Sequence, residues 1–185
     1  MKTYYLNVEP DGFGEWEGYP QYKIDEAINV YIGIATREIE AHFPRTIVET
    51  TMLSGQNNED SHPDFEFIDD FLSKNWTDWL EMAIYEVDFG FVIFKNQKYI
   101  LKEPACQSSR VMNEYPQSLQ YQGDGDTYMV EYQASGFNQK HKDILVTWHF
   151  EICREGIENI PEGAYSNDVL EEDYDWDDVY KVEQR

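Results

Sequence analysis

From Tyr22 to Phe43 the apolar residues Ile24, Ala27, Ile28, Tyr31, Ile32, Ala35, Ile39 and Phe43 recur at spacings of three and four. That period matches one face of an α-helix, and Pro44, which cannot continue a helix, marks its end. The same spacing returns in Phe65, Ile68, Leu72, Trp76, Trp79, Leu80, Ala83, Ile84 and Val87, a broad stripe that predicts a second long helix. Ahead of it stands Ser61-His62-Pro63-Asp64. It offers a hydroxyl for the N-cap, a proline in the first turn and a carboxylate at the third helical position.

Elsewhere the period is two. "KTYYLNV" (2–8) and "RTIVETTML" (45–53) are rich in aromatic and β-branched residues and read as strands. "FGFVIFKNQKYILKEP" (89–104) predicts a hairpin turning at Lys95-Asn96-Gln97-Lys98, and "DTYMVEYQAS" (126–135) and "DILVTWHFEI" (143–152) predict two antiparallel neighbours. "EPDGFGEWEGYP" (9–20) and "SGQNNEDSHPD" (54–64) are loops by their Gly, Pro and Asn, and 105–120 has no clear period. Roughly six strands, clustered late, and two long helices imply an α+β fold. The expected arrangement is a mostly antiparallel sheet with both amphipathic helices on one face, not alternating βαβ units. The 185 residues fit a single domain over 1–160 followed by an acidic, aromatic C-terminal segment, 161–185.

Charge changes this picture from a generic fold to one with a strong field. The chain holds 37 Asp and Glu against 14 Lys and Arg, a net −23, yet it is 41% hydrophobic and 16% aromatic, which opposes disorder. Such charge repels nucleic acid and anionic membranes and speeds encounter with basic surfaces. Ten of the carboxylates fall between Glu155 and Asp178, with no Lys or Arg among them. At the core of that run, "LEEDYDWDDVY" interleaves Glu171, Glu172, Asp173, Asp175, Asp177 and Asp178 with Tyr174 and Trp176. On the second predicted helix Glu66, Asp69, Asp70, Asp78 and Glu81 fall away from the apolar stripe, with only Lys74 among them. A helical repeat of about 5.4 Å sets such carboxylates at a spacing of the order of nucleic-acid phosphates.

The expectation is therefore a non-catalytic binding protein. Its carboxylates would occlude the cationic, nucleic-acid-binding surface of a basic partner, as nucleic-acid mimics, anti-restriction inhibitors and immunity proteins do. Tyr174 and Trp176 would either pack on that partner or dock the segment on its own domain. Two alternatives stand beside it: a small-molecule enzyme with carboxylates in a helix–sheet cleft, and a structural subunit whose rings are oligomer contacts.

No motif demands a cofactor. HExxH, CxxC, GxGxxG and GxxxxGK[ST] are all absent. Gly123-Asp124-Gly125-Asp126 fails as a calcium loop, because Tyr128 and Ser135 would take its fifth and twelfth positions, and it reads as a turn. His149 and Cys153 are four residues apart on one predicted strand, about 13 Å along a regular one, too far for a nucleophile–base pair. Cys106 and Cys153 read as reduced thiols, with a single bridge between them as the alternative. With no apolar run long enough for a signal peptide or a membrane span, the cytoplasm is the expected location.

Overall fold

The computed structural model describes residues 1–8, 20–51, 58–108, 127–153 and 175–185, without the side chains of 127–130 and 151–153. Among the described residues the fold is α+β, with an antiparallel sheet of six strands and a parallel one of two. It divides into two compact units, Met1–Gly90 and Phe91–Arg185.

The first unit holds β1 (Lys2–Asn7), α1 (Gln21–His42), β2 (Thr46–Thr51), a short α2 (Asn58–Ser61) and α3 (Phe65–Phe89). β1 and β2 pair in parallel, Lys2 level with Thr46 and Asn7 with Thr51. A βαβ crossover, which the sequence reading set aside, therefore exists here. Local periodicity identifies both strands but carries no signal for which distant strand each one joins. Every second residue of β1 turns inward, so Tyr4 and Leu6 are buried, as is Val8 just beyond. They share the interior with Ala27, Ile28, Tyr31, Ile34, Ala35 and Ile39 of α1 and Ile68, Trp79, Met82 and Ala83 of α3. Each large apolar side chain fully buried there contributes about 1.5–3 kcal/mol relative to exposure.

A two-stranded sheet has two outer edges, and side chains block both. Asn58 accepts the Tyr5 N–H at 2.8 Å and donates to the Tyr5 carbonyl at 3.0 Å, standing in for a strand residue. Glu40 accepts the Val48 N–H at 3.1 Å on the other side. Such devices keep an edge from recruiting another chain.

The start of α3 differs from the sequence expectation. Ser61 closes α2 instead of capping α3, whose N-cap is Asp64, with no side-chain bond of its own. The buried ring of His62 does the work: Nδ1 accepts the Asp64 N–H at 3.1 Å, and Nε2 lies 3.0 Å from Thr46 Oγ1. A nitrogen that accepts carries no hydrogen, so the ring proton is on Nε2 and donates to Thr46. This one side chain ties β2 to α3.

The second unit holds β3 (Phe91–Phe94), β4 (Gln97–Leu101), β5 (Cys106–Gln107), β6 (Thr127–Phe137), β7 (Asp143–Cys153) and β8 (Lys181–Gln184). Their order is β3-β4-β6-β7-β8, with β5 also on β6, and every pair is antiparallel. The expected hairpin forms, but its turn is tighter than the expected Lys95–Lys98: Gln97 and Lys98 already belong to β4, and only Lys95 and Asn96 turn, both with positive φ, 51° and 62°, as a type I′ turn requires. β6 and β7 pair without interruption from Thr127 opposite Cys153 to Phe137 opposite Asp143. Gly136 is needed where β4 joins β6, because a Cβ there would lie 2.3 Å from the Ile100 carbonyl oxygen. One face of the sheet buries Val92, Leu101, Tyr132, Ala134, Ile144, Val146, Trp148 and Phe150.

Candidate acidic interface

α3 carries the first set of carboxylates. Ile68, Trp79, Met82 and Ala83 point to the interior, which fixes the opposite side of the helix outward. Glu66, Asp69, Asp70 and Asp78 are exposed there and Glu81 is half-exposed, as the sequence pattern implied. At about 100° per residue the five fall within roughly half the helix circumference, over about 22 Å of its length.

Asp70 pairs with Lys74 one turn on, and Asp69 accepts a hydrogen bond from the Tyr4 hydroxyl. Burial, and then that bond to Asp69, push the Tyr4 phenol far above its ordinary range, so it remains the donor at any physiological pH. Residues 1–90 hold 19 Asp and Glu and 5 Lys and Arg, so one-to-one pairing cannot neutralise this unit. Three of those cations are already engaged, Lys23 with Asp88, Arg37 with Glu38 and Lys74 with Asp70.

The pattern assigned Trp76 to the buried stripe, but it is 44% exposed, and Phe67 is 69% exposed. On the helical wheel Phe67 and Trp76 lie near opposite margins of the acidic arc. Trp76 sits at the limit of the apolar sector, where spacing alone cannot separate a core ring from a rim ring. Phe67 breaks the stripe's spacing, and that was the available signal.

The second set is at the C-terminal end, where Glu171, Glu172, Asp173 and Tyr174 lie outside the described residues. Asp175, Asp177 and Asp178 are exposed on a tight turn in which Asp175 Oδ1 accepts the Asp177 N–H at 3.1 Å. Trp176 faces the other way. Its ring meets Tyr132, Trp148 and Phe150 edge-on at 5.4, 5.6 and 4.9 Å, and its carbonyl accepts Trp148 Nε1–H at 2.9 Å. Of the two readings for Trp176, docking on its own unit is what the structure contains.

Val179 is buried next to it, and Tyr180 stacks on His149 at 3.7 Å. Trp148 and His149 are consecutive and project to opposite faces of β7. Trp176 and Tyr180 therefore grip β7 from both sides before β8 pairs with it. The three carboxylates sit on a turn anchored to the sheet by Trp176 and Val179.

The nucleophile candidates separate as expected. β7 is regular through Cys153, so His149 and Cys153 stay about 13 Å apart along it. Cys106 is an exposed free thiol. His149 instead lies 3.2 Å from the Glu131 carboxylate on β6. Gly123–Asp126 lies outside the described residues. Among the described residues no cluster of His, Cys, Asp and Glu suits a metal ion, and no helix is long and apolar enough to cross a membrane. No protein-family profile, curated protein or solved structure matches the chain.

Proposed function

We propose that this protein binds a cationic surface of another protein, a nucleic-acid-binding site, and blocks it. The carboxylates of α3 take the place of phosphates, and Phe67 and Trp76 supply apolar contact at the margins of the acidic arc. Rings of this kind beside charged groups are where interface energy concentrates. Asp175, Asp177 and Asp178 form a second acidic element, held by Trp176. The observation that carries the reading is the exposed acidic side of α3, in a unit whose carboxylates outnumber its cations nearly fourfold. The partner is a basic, nucleic-acid-handling protein, and the action is occlusion without chemistry, in the cytoplasm.

The test is displacement. Basic DNA- and RNA-binding proteins, each loaded with a fluorescent duplex, are titrated with this chain and with a variant carrying Glu66→Gln, Asp69→Asn, Asp70→Asn, Asp78→Asn and Glu81→Gln. The wild type should release the duplex from a responsive protein, and the variant should need at least tenfold more. Equal potency of the two would remove α3 as the binding element.

A further inference from the structure

We propose that two copies of this chain associate through β3, edge to edge about a two-fold axis, extending the sheet from one copy into the other. β3 ends its sheet, and among the described residues its only strand neighbour is β4. Its sequence, Phe-Val-Ile-Phe, is apolar on both faces, the pattern of a strand inside a sheet and not of an edge. Val92 is buried on the core side, while Phe91 and Ile93 on the other face are 49% and 52% exposed. Within the strand there is no proline and no charge to blunt the edge, and only its length of four residues limits pairing. Both edges of the β1–β2 pair, by contrast, are blocked by Asn58 and Glu40.

The backbone selects the register. A two-residue turn closes on a bonded pair, Phe94 with Gln97, and bonded pairs alternate along an antiparallel ladder. Phe94 and Val92 thus spend their N–H and C=O groups on β4, and those of Phe91 and Ile93 point outward. A two-fold axis at Val92 sets Phe91 opposite Ile93 of the partner subunit and Ile93 opposite Phe91 of the partner subunit. Each pair exchanges two backbone hydrogen bonds, and the four exposed apolar side chains come together on one face.

Charge makes this a permissive place for a second copy. Two chains of −23 repel each other over most of their surfaces, but residues 89–102 are the longest stretch without Asp or Glu and contain Lys95, Lys98 and Lys102. Lys98 already lies over the Phe91 ring, 4.2 Å from its centre, so the exposed face of the hairpin is both cationic and apolar. A contact here keeps carboxylates out of the interface and faces the remaining field of the partner with lysines.

Sedimentation of the full chain from micromolar to millimolar concentration tests this. Dimer should grow with concentration and should strengthen as salt screens the repulsion between the two chains. Ile93→Lys and, separately, Phe91→Lys should weaken dimerisation at least tenfold without altering the far-ultraviolet circular dichroism of the monomer. Hydrogen exchange should slow at the Phe91 and Ile93 amides as dimer forms and stay unchanged at Val92. A strict monomer at millimolar concentration overturns the proposal, and so does a dimer that both lysine variants leave intact. Binding of a cationic partner responds to salt in the opposite sense, so failure of one proposal does not imply failure of the other.

Discussion

Replacing Trp176 by Ala removes the ring that holds the C-terminal turn against the sheet. Truncating a fully buried Trp costs about 3–5 kcal/mol. Trp176 is half-buried, which reduces the area contribution to about half of that. It also loses three edge-on ring contacts, with Tyr132, Trp148 and Phe150, each of which adds about 0.5–1.5 kcal/mol when well formed. The bond from Trp148 Nε1 to the backbone carbonyl is retained in principle, but it loses the ring that fixes its geometry. Together these set the expected cost at about 3–7 kcal/mol, felt in the second unit. Chemical denaturation followed by circular dichroism gives the loss, and hydrogen exchange locates it. Amides of Tyr180 to Gln184 should exchange faster in the variant, while those of α1 and α3 stay as they are. A change below about 0.5 kcal/mol, the level of ordinary surface substitutions, would refute the argument that Trp176 anchors this segment.

Three other outcomes follow from the packing. Gly136→Ala forces a Cβ against the Ile100 carbonyl, so it should cost about 1–3 kcal/mol or more and loosen amide protection in β3 and β4 ahead of β7. His62→Ala strips Thr46 and the Asp64 N–H of their buried partner and should destabilise by about 2–4 kcal/mol in urea unfolding, whereas His62→Asn, which keeps an acceptor near Nδ1, should recover part of the loss. Alkaline unfolding should set in above about pH 10, the ordinary phenol value. Burial raises both Tyr4 and Tyr31, and for Tyr4 the bond to Asp69 adds to it; the folded state therefore holds these protons more tightly than the unfolded chain. Their contribution is complete below the ordinary value and is lost as pH rises through the folded one. Urea midpoints from pH 8 to 11 measure this, and Tyr4→Phe should flatten the decline.

Much of the fold was legible because the two long helices and the β6–β7 pair are written in local period. Ala27, Ile28, Tyr31, Ala35 and Ile39 line the interior as their spacing implied, and the hairpin was legible although its turn is confined to Lys95-Asn96, Gln97 and Lys98 having joined β4. What local period cannot encode is which distant strands meet. β1 and β2 therefore emerged as a parallel pair only in the structure, and with them the role of Asn58. The capping expectation at Ser61 failed because a hydroxyl in the right place competes with alternatives, and here the ring of His62 supplies the acceptor from two residues before Asp64. The acidic side of α3 was readable, since carboxylates opposite an apolar stripe have only one direction to point. The margin rings were not, because Trp76 fits the stripe's spacing and yet lies at its rim. Trp176 could equally have faced a partner or its own sheet, a choice decided by Tyr132, Trp148 and Phe150, which lie at least 26 residues away in sequence.

The account turns on whether the carboxylates of α3 do the recognising. Stopped-flow association with a responsive basic protein, measured across a salt series for the wild type and for the variant with all five α3 carboxylates converted to amides, addresses that directly. The wild-type rate should fall steeply as salt rises, and the variant should associate slowly at low salt with a shallower dependence. Coincident curves for the two proteins would contradict the claim that α3 meets the partner.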